Sequence, residues 1–590
     1  MYILRKYLLA TVLAILCSSS VLAQSLPALH VEGPFLVDEN GKRHNLHGFA
    51  QTFSPWFNEQ GSKWNNYNVA ECLRYNKGIL DGIMNAGWQM TFVRQHMDPY
   101  WSNTPGVQVN GENDISAFSF TRFKKYLDEV FVPMAEYAIG KGLYVVMRPP
   151  GVCPEDITIG DAYQQYLIKV WEHVAQHPKL KNNGCIMFEL ANEPVRIKNA
   201  DGTQAGDKEM TAYFQKIVDV MRKHCNNILL IPGLGWQSSY AGFANYPIQG
   251  ENIGYAVHCY PGWYNGGHGN GDVVVNYREF KRGWDAQILP VAVTNPVVVT
   301  EMDWAPSKYN SSWGKSNTGE EGKTGFGANF MKIADETRNV SWLTFTGGEL
   351  LARYKDDAPD GQTFLTDPEA CPRPCYRRFQ YYASQEYSDL INQPDYRPEI
   401  KEEPLFSLTD EWFNPNIWEQ GTFDEATGCL KTGQYGFGGW QYPRGVDLST
   451  WKYLVVELKR TQSCGASFRL FDVNNYWDKP AMYNFGNNTR LMVDLQNMKD
   501  ETGKRLDPSH IYIVGFWSYG SSPIYINKVY LSDDGQTPTE ILTPESGEEE
   551  VAREYYSLDG RRLGSPQRGL NLVKVTQSNG KTRVFKACYK

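Results

Sequence analysis

The sequence predicts an α/β protein, a (β/α)8 TIM barrel followed by an all-β jelly-roll sandwich and a short C-terminal β tail. Apolar segments alternate with amphipathic helical segments at the spacing of repeated βα units. Two apolar segments end in a glutamate, Glu193 and Glu301, at the position where barrel strands carry functional side chains. After about residue 405 the helical periodicity stops, and short alternating strands follow with Gly-rich turns, which is typical of an antiparallel sandwich.

Length and composition limit the possible classes of protein. With 590 residues, 42% of them hydrophobic and 14% aromatic, the chain is globular and long enough for two or three domains. The formal charge of −8 and a pI near 5.8 leave no basic stripe, which argues against nucleic acid as a partner. Seventeen Trp and thirty-six Tyr favour flat binding surfaces, although large secreted proteins also place these residues in cores.

Residues 1–23 predict a secretory signal. Arg5 and Lys6 precede an apolar core, and Ala23 supplies a small residue where a signal peptidase cuts. The apolar core is too short to span a bilayer, and no other apolar run is long enough to do so. We therefore expect a protein that is secreted or displayed at the cell surface and has no membrane span.

The eleven cysteines form no regular pattern. Cys17 belongs to the signal, and the ten that remain are scattered, which argues against a disulfide scaffold. Cys371 and Cys375 are the expected bridge in an oxidising compartment, although the sequence leaves their redox state open. No second Cys or His pair accompanies them, so we expect no zinc site, and no cofactor is expected either.

The strands and helices of the barrel can be placed in order. A hairpin at 35–41 precedes the first strand and would close the bottom of the barrel. Helical periodicity at 69–86 and 121–141 separates the first three strands. The predicted strands cover residues 45–49, 88–94, 142–148, 186–193, 228–233, 253–260, 296–301 and 341–346.

The fourth strand carries the first candidate catalytic residue. Its apolar run from Ile186 stops at Pro194, which cannot continue a ladder, so Glu193 is expected at the carboxyl end of the strand. Glu301 ends the seventh strand, and two carboxylates at two strand ends suggest acid/base chemistry on a glycosidic bond. The alternative is that each glutamate is a solvated loop residue. Glu189 would share a strand face with Glu193 but lies deeper, and we expect it to be structural.

Polar residues end four of the predicted strands in a fixed order. They are Arg94 after the second strand, Asn192-Glu193-Pro194 after the fourth, His258-Cys259-Tyr260 after the sixth and Glu301 after the seventh. Over residues 30–390 this set resembles family 5 of the glycoside hydrolases, the cellulase-like barrels. The resemblance implies a retaining mechanism in which Glu193 is the general acid/base and Glu301 the nucleophile. Their carboxyl oxygens are then expected about 5 to 5.5 Å apart.

The same resemblance implies roles for the neighbouring polar residues. Arg94 would hold Glu301 ionised, because a nearby cation favours the charged form of a carboxyl, and Tyr260 would orient it. Asn192 would hydrogen-bond the 2-hydroxyl of the sugar, and His258 would support this network. These four residues belong to the expected substrate-binding set.

Two positions depart from the pattern of the family. Many members end the third strand in a His, where this chain has Arg148, and many place a cleft Trp after the eighth strand, where register gives Phe345. Both changes fall where the sugar is held, so the usual glucan specificity is open. Trp342 is either the sugar platform or barrel core, and core is the favoured alternative.

Two linkers are predicted after the barrel, at 391–404 and 534–553, from their content of Pro, polar and charged residues. Residues 405–533 between them resemble a carbohydrate-binding module of the jelly-roll type. The candidates for its sugar-facing surface are Trp440, Trp477 and Trp517. Each of these tryptophans could instead be a core residue.

The C-terminal tail, residues 554–590, resembles the sorting domain of type IX secretion. The stretch from Tyr555 to Arg562 and the later apolar run from Leu570 to Val575 carry this resemblance. The alternative is a small structural hairpin without a sorting role.

Two hypotheses about function remain. The first is a secreted, retaining, endo-acting hydrolase of a β-1,4-linked plant cell-wall polysaccharide, a glucan, xylan or mannan, with residues 24–390 as the catalytic barrel. The second is a surface glycan-binding protein whose barrel has lost activity. The presence of both Glu193 and Glu301 favours the first. We expect a monomer whose partner is the polysaccharide; the sequence leaves the sugar, and endo versus exo action, open.

Overall fold

The computed structural model divides the chain into two compact units, one ending at Ile400 and one beginning at Lys401. The first unit contains a barrel, and the second contains two β-rich parts. The residues described are 26–51, 66–260, 263–264, 277–302, 326–344, 375–400, 404–409, 412–419, 421–462, 465–475, 478–520, 522–536, 550–557, 562–563, 565, 569–577 and 582–589.

Eight parallel strands close a barrel in the first unit, which confirms the predicted fold class. The strands of this unit are β1 (Leu29–Glu32), β2 (Phe35–Asp38), β3 (Arg43–His44), β4 (His47–Gln51), β5 (Phe92–His96), β6 (Tyr144–Arg148), β7 (Asp156–Thr158), β8 (Ile186–Glu189), β9 (Arg196–Lys198), β10 (Ile228–Pro232), β11 (Ile253–Cys259), β12 (Val297–Met302) and β13 (Val340–Thr344). The closed barrel runs β4-β5-β6-β8-β10-β11-β12-β13 and back to β4. The strands β1 to β3 form a small antiparallel sheet, and β7 pairs with β9.

Helices connect the barrel strands. Their bounds are α1 (Val69–Asn85), α2 (Pro99–Ser102), α3 (Phe120–Tyr126), α4 (Val132–Gly140), α5 (Ala162–Gln176), α6 (Asp207–Arg222), α7 (Ala241–Asn245), α8 (Tyr277–Gln287), α9 (Leu289–Ala292), α10 (Phe326–Thr337), α11 (Cys375–Tyr382) and α12 (Gln385–Ile391). The helix predicted at 121–141 is divided by a π-helical turn at Leu127–Phe131. Pro133 has no N–H to donate to the preceding turn, and the wider turn accommodates this loss.

Each barrel strand is buried on both faces, as expected for a parallel barrel covered by helices. Ala50, Val146 and Val298 lie in the cluster that fills the barrel, whereas Val145 lies in the cluster that packs against the helices. Trp342 belongs to the helix-facing cluster and is 0% exposed, with its ring among those of His47, Phe330 and Tyr382. It is therefore barrel core, and the sugar-platform alternative is excluded.

A hairpin at the amino-terminal end of the barrel joins the beginning of this unit to its end. The N–H of Arg43 donates to Oδ1 of Asn392 at 2.7 Å, and Nη1 of Arg43 donates to the carbonyl oxygen of Gln393 at 2.9 Å. The hydroxyl of Tyr396 donates to the carbonyl oxygen of Thr337 at 2.8 Å. Residues 391–396 thus contact the barrel directly.

The second unit begins with a β-sandwich. Its strands are β14 (Asn414–Trp418), β15 (Thr422–Asp424), β16 (Cys429–Lys431), β17 (Phe437–Val446), β18 (Tyr453–Leu458), β19 (Gly465–Phe471), β20 (Ala481–Asn484), β21 (Arg490–Asp494), β22 (Ile511–Tyr519) and β23 (Ile524–Ser532). They form two five-stranded antiparallel sheets, β14-β17-β22-β19-β20 and β15-β16-β23-β18-β21. Leu430 and Val456 of one sheet and Phe468 and Phe516 of the other belong to one buried cluster, so the core lies between the sheets.

Of the three candidate sugar-facing tryptophans of the sandwich, the two that are described differ in their burial. Trp440 is 1% exposed within the core, and its Nε1 donates to the carbonyl oxygen of Ser407 at 2.6 Å, so it is not a sugar-facing residue. Trp517 is half-buried, and the guanidinium carbon of Arg469 lies 4.0 Å from its ring centroid. Trp477 lies outside the described residues.

The tail forms one antiparallel sheet with the strand order β25-β24-β26-β27. Its strands are β24 (Glu550–Tyr556), β25 (Arg562–Leu563), β26 (Gly569–Gln577) and β27 (Thr582–Tyr589). The first of these strands begins within the predicted linker. The sorting role of the tail stays a prediction.

No helix in the described ranges is both long enough and apolar enough to cross a bilayer. The described residues include six buried free cysteines: Cys72, Cys153, Cys185, Cys225, Cys259 and Cys429. Cys371 lies outside the described residues, so its bridge with Cys375 stays a prediction.

Candidate active site

Arg94 lies at the centre of a buried polar cluster near the carboxyl ends of the barrel strands. Its Nε donates to Oε2 of Glu189 at 2.7 Å, and its Nη2 donates to Oε1 of Glu189 at 3.0 Å. Nη1 donates to Oε1 of Glu301 at 2.6 Å, and Nη2 also donates to Oδ1 of Asn192 at 2.7 Å. Burial alone would lower the pKa of Arg94, but the two carboxylates outweigh burial and raise this pKa, so the guanidinium stays charged.

Glu189 ends β8 and is the most deeply buried carboxylate of the cluster, at 0% exposed. Its Oε1 also accepts hydrogen bonds from Thr300 Oγ1 at 2.9 Å and from Gln237 Nε2 at 3.0 Å. Burial opposes ionisation, but the charge of Arg94 outweighs it and holds the pKa of Glu189 well below its usual range. Glu189 is therefore an ionised structural residue that holds Arg94 in place.

A β-bulge brings Glu301 into this cluster. Val257 of β11 pairs with Val299 of β12, but the next residue, His258, pairs with Glu301, which leaves Thr300 as an extra residue. The side chains of Thr300 and Glu301 both reach the cluster, although adjacent residues of a regular strand point to opposite faces. The bulge therefore aims the carboxylate of Glu301 into the site.

Cationic and hydroxyl partners stabilise the ionised form of Glu301. Tyr260 donates its hydroxyl hydrogen to Oε2 of Glu301, and Arg94 occupies Oε1. Burial would raise the pKa of Glu301, but the charges of His258 and Arg94 and these hydrogen bonds lower it. An anionic carboxylate that is 9% exposed at the mouth of the barrel has the properties of a nucleophile.

His258 contacts three carboxylates and is itself 0% exposed. Its Nδ1 lies 3.0 Å from Oε1 of Glu193 and 3.5 Å from Oε2 of Glu301, and its Nε2 lies 3.7 Å from Oε1 of Glu189. Burial opposes protonation of the ring, but the carboxylates outweigh it and raise the pKa of His258 to about 9. A protonated His258 therefore lies against both candidate catalytic carboxyl groups.

Glu193 lies in the loop after β8, which corrects the expectation that it ends the strand. The ladder stops at Glu189, and Glu193 has a φ of 56°, in the left-handed region that residues with a Cβ seldom adopt. The period-two alternation that would have placed the two glutamates on one strand face therefore does not extend this far. The side chain of Glu193 is 24% exposed, against 9% for Glu301.

The two candidate catalytic carboxylates are close together. One carboxylate oxygen of Glu193 and one of Glu301 lie within 4.8 Å of each other, and a ring nitrogen of His258 lies within the same distance of both. Retaining glycosidases place their carboxyl groups about 5 to 5.5 Å apart, whereas inverting enzymes need about 6.5 to 9.5 Å to admit a water molecule. This spacing fits direct attack by a carboxylate.

The same three residues are the metal-ligand candidates among the described residues. The oxygens of Glu301 already accept hydrogen bonds from Arg94 and Tyr260. A metal ion also requires a neutral imidazole, whereas the surrounding carboxylates favour the protonated form of His258. The donor set therefore fits carboxylate catalysis better than it fits a metal centre.

A match to a sequence model identifies the family of the barrel. The sequence model of the family described as "Cellulase (glycosyl hydrolase family 5)" matches residues 37–348, which is more than half of the chain. The chain belongs to glycosyl hydrolase family 5. All residues of the cluster from Arg94 to Glu301 lie inside the matched span.

Two curated relatives of this chain are named endoglucanases. The chain is 28% identical over 191 residues to "Endoglucanase" from Bacillus sp. (strain KSM-635), which covers 30% of this chain and 19% of the relative. It is 24% identical over 238 residues to "Endoglucanase A" from Butyrivibrio fibrisolvens, which covers 40% of this chain and 46% of the relative. The chain thus spans less than half the length of either relative.

A solved structure of a β-glucanase from Saccharophagus degradans in complex with cellotetraose also matches this chain. The match has a TM-score of 0.41 and 16% sequence identity, and it covers 63% of this chain and 94% of the other. A similarity at this level has no bearing on the substrate.

Arg148 is the last residue of β6 and lies beside the cluster. Its Nη1 donates to the carbonyl oxygen of Gly151 at 2.6 Å, and its Nη2 lies 3.6 Å from Oε2 of Glu112. Burial and the nearby charge of Arg94 lower the pKa of Arg148. Arg148 thus lies close enough to Glu189 and Glu301 to be affected by their charges, but the anion that it contacts is Glu112.

The turn after β10 carries two residues that sequence reasoning missed. Trp236 is 51% exposed, and its N–H donates to the carbonyl oxygen of Pro194 at 3.1 Å, next to Glu193. Gln237 is buried and bonds both to the backbone N–H of Glu193 and to Glu189. The only available sequence signal was the pair of glycines around position 234, which indicates an irregular turn at a strand end.

Phe345, the remaining expected substrate-binding residue, lies outside the described residues. Of the nine expected site residues, the structure brings seven together: Arg94, Arg148, Asn192, Glu193, His258, Tyr260 and Glu301. Trp342 is separated from them by its place in the core.

Proposed function

We propose that this protein is a retaining glycoside hydrolase that cleaves internal bonds of a β-1,4-linked plant cell-wall polysaccharide. The observation that supports this proposal most strongly is the spacing of Glu193 and Glu301, within 4.8 Å around His258. A double displacement requires an ionised nucleophile, here Glu301, and an acid/base carboxyl group at this distance from it, here the more exposed Glu193.

In the first step Glu301 attacks the anomeric carbon. Glu193 donates its proton to the glycosidic oxygen while the bond between that oxygen and the anomeric carbon breaks, and the leaving sugar departs as an alcohol. A covalent ester now joins the sugar to Glu301. Arg94 and Tyr260 hold the carboxylate of Glu301 in line for this attack.

In the second step Glu193 acts as a base. It takes a proton from water, whose oxygen attacks the anomeric carbon from the side that the leaving sugar vacated, and the bond to Glu301 breaks. Two inversions give net retention. Asn192, held by Arg94 at 2.7 Å, is placed to bond the 2-hydroxyl of the sugar.

Among the possible polysaccharides we place β-1,4-glucan first, because both curated relatives are named endoglucanases. Xylan and mannan remain candidates, because Arg148 replaces a residue that many members use to hold the sugar. The second candidate function is glycan binding without catalysis. The intact arrangement of Arg94, Glu193 and Glu301 argues against it.

The test is the release of reducing sugar from glucan, xylan and mannan. We expect the wild type to be active on one of the three, and Glu301→Gln to lose turnover while it still binds. Glu193→Ala should keep the first step on substrates with good leaving groups and should regain turnover with azide, which needs no base. An inactive wild type that binds one of the polysaccharides would support the non-catalytic alternative.

Two further measurements define the reaction. Proton NMR of the first product should show the β-anomer, and an α-anomer at early times would overturn double displacement. The viscosity of a soluble polysaccharide should fall before many reducing ends appear if cleavage is internal. A fall in viscosity that is only proportional to the number of new reducing ends would indicate exo action.

The proposed organisation of the whole chain is a secretion signal at 1–23, a catalytic barrel at 24–390, a glycan-binding sandwich at 405–533 and a sorting tail at 554–590. Its support is the apolar N-terminal segment, the two-sheet sandwich and the separate four-stranded sheet of the tail.

A further inference from the structure

Both polar atoms of the Gln237 side-chain amide form hydrogen bonds near the mouth of the barrel. It is 0% exposed and lies in the turn after β10 with a φ of 61°. Its Oε1 accepts the backbone N–H of Glu193 at 2.7 Å. Its Nε2 donates to Oε1 of Glu189 at 3.0 Å and to the carbonyl oxygen of Ala256 at 3.1 Å.

The position requires a side chain that carries both a hydrogen-bond acceptor and a donor. The carboxylate of Glu189 can only accept hydrogen bonds, so Nε2 must face it, and Oε1 is left for the N–H of Glu193. An apolar side chain at position 237 would remove the hydrogen-bond acceptor of the Glu193 N–H and one of the donors to Oε1 of Glu189. An ionised carboxylate there would repel Glu189.

The loop of Glu193 has little regular structure of its own to hold it. Glu193 lies beyond the end of β8 at a φ of 56°, a conformation that persists only when its surroundings enforce it. The turn of Gln237 supplies that support at three consecutive residues. Besides the bond to Glu193, Trp236 donates to the carbonyl oxygen of Pro194 at 3.1 Å and Gly235 to that of Val195 at 3.0 Å.

We infer that Gln237 is a positioning residue for the general acid, an inference that rests on the proposed role of Glu193. It joins the backbone of Glu193 to Glu189, which in turn holds Arg94, and Arg94 holds the nucleophile Glu301. Gln237 thus adds a link from the backbone of the acid to the nucleophile, beside the side-chain contacts that His258 makes with both carboxylates.

This role predicts a dependence on the leaving group. Cleavage of an unactivated sugar requires a correctly placed acid, whereas release of dinitrophenolate does not. In Gln237→Met, which has nearly the same volume, kcat/KM on a cello-oligosaccharide should fall about a hundredfold, as expected for a small misplacement of a catalytic group. On the dinitrophenyl glycoside it should fall less than about threefold, and azide should increase turnover, because azide needs no base.

Gln164 provides the matched control. It is also 0% exposed, its Oε1 accepts the N–H of Gly160 at 2.7 Å, and its Nε2 donates to the carbonyl oxygen of Tyr213 at 2.8 Å, but it contacts neither catalytic carboxyl. Gln164→Met should lose stability to a similar extent while it keeps the wild-type ratio of the two kcat/KM values. Equal losses of Gln237→Met on both substrates, or the same ratio change in Gln164→Met, would overturn the inference.

Gln237→Glu provides a second variant in case Gln237→Met does not fold. At low pH its new carboxyl group is neutral beside Glu189, so its hydroxyl can donate to Glu189 and its carbonyl can accept from Glu193. The substrate ratio should then match the wild type at acidic pH and should shift towards the activated substrate as pH rises. A ratio independent of pH would contradict the inference.

Glu193→Ala separates this inference from the proposed function. If Glu193→Ala shows the leaving-group dependence and azide rescue but Gln237→Met does not, only the role of Gln237 fails. If Glu193→Ala shows neither, the proposed function itself fails.

Discussion

Arg94 connects the structural carboxylate of Glu189 to that of the proposed nucleophile Glu301, and we expect its geometry to matter as much as its charge. Arg94→Lys keeps a cation but cannot bond both oxygens of Glu189 and also reach Glu301. We expect kcat/KM to fall at least about a hundredfold. Arg94→Met should also destabilise the fold by about 3–5 kcal/mol, because it leaves Glu189 buried without its cation. Steady-state kinetics and urea unfolding measure the two effects.

The exposed Arg196 is the control for this prediction. It pairs with Asp156 at 2.8 Å and with Glu155 at 2.7 Å on the surface, where ion pairs contribute about 0–1 kcal/mol. Arg196→Lys should leave rate and stability nearly unchanged. Similar activity in Arg94→Lys and Arg196→Lys would show that charge alone suffices at Arg94.

The titration of His258 predicts how stability depends on pH. Its pKa is raised from 6.5 to about 9 in the folded chain, so the protonated ring stabilises the fold below about pH 6.5. This contribution, at most about 3 kcal/mol, should disappear as pH rises through 9. In His258→Asn, the free energy of unfolding should lack this loss between pH 6 and pH 9. Parallel pH profiles of the two proteins would contradict the assignment.

At the scale of elements, the turn after β10 presents Trp236 beside the acid. Glu193 is the proposed acid for the leaving sugar, and the backbone of Trp236 bonds the loop of Glu193, so we expect the exposed indole to stack on that sugar. Trp236→Ala should raise KM for long oligosaccharides about tenfold, which corresponds to the loss of roughly 1.4 kcal/mol of binding. Activity on aryl glycosides, which lack a sugar on that side, should change little.

Tyr246→Ala is the matched control for this prediction. Tyr246 is 46% exposed, similar to Trp236, but its carbonyl oxygen accepts from Thr211 of helix α6, outside the barrel. Its removal should not change KM. An equal increase in both variants would mean that Trp236 does not bind the leaving sugar.

The elements differ in how well the sequence could predict them. The parallel strands were predictable because two-sided burial produces apolar runs, as at Ile228–Pro232, with helical periodicity between them. The bulge at Thr300 was not, because a register shift depends on the neighbouring strand and leaves no local pattern. The loop position of Glu193 was missed for a similar reason, since Gln237 holds it from 44 residues away.

The residues of the site divide in the same way. Arg94 and Glu301 could be identified because each is a charged residue after an apolar run, although Arg94 lies in the middle of β5 (Phe92–His96) and not at the predicted strand end. The structural role of Glu189 followed from its depth in an apolar run. Trp342 could not be assigned from the sequence, because core and cleft positions both favour a large aromatic. Its 0% exposure decides the question.

At the scale of the whole molecule, the sandwich predicts a separable binding function. Deleting residues 405–533 should leave turnover on soluble oligosaccharides nearly unchanged, because all groups of the catalytic cluster lie in the first unit. It should weaken retention on insoluble polysaccharide. Equal retention in a pull-down assay with and without these residues would contradict the glycan-binding proposal.

The tail predicts an export phenotype. Removal of residues 554–590 should leave folded, active enzyme in the periplasm, because the proposed sorting signal is lost while the barrel is intact. Cell fractionation with an activity assay measures this. Recovery of the truncated protein at the surface or in the medium would show that the tail is not needed for sorting.

The contact between Arg43 and Asn392 has a consequence for biosynthesis. The two residues are 349 positions apart in the chain, and the hydrogen bond between them joins the two ends of the barrel unit. At about 5–20 residues per second, a ribosome needs roughly 20 to 70 s to add the second residue after the first. Until β13 is added late in that interval, the nascent barrel is open and β4 lacks its last neighbour, so the growing chain exposes strand edges that could pair with another chain.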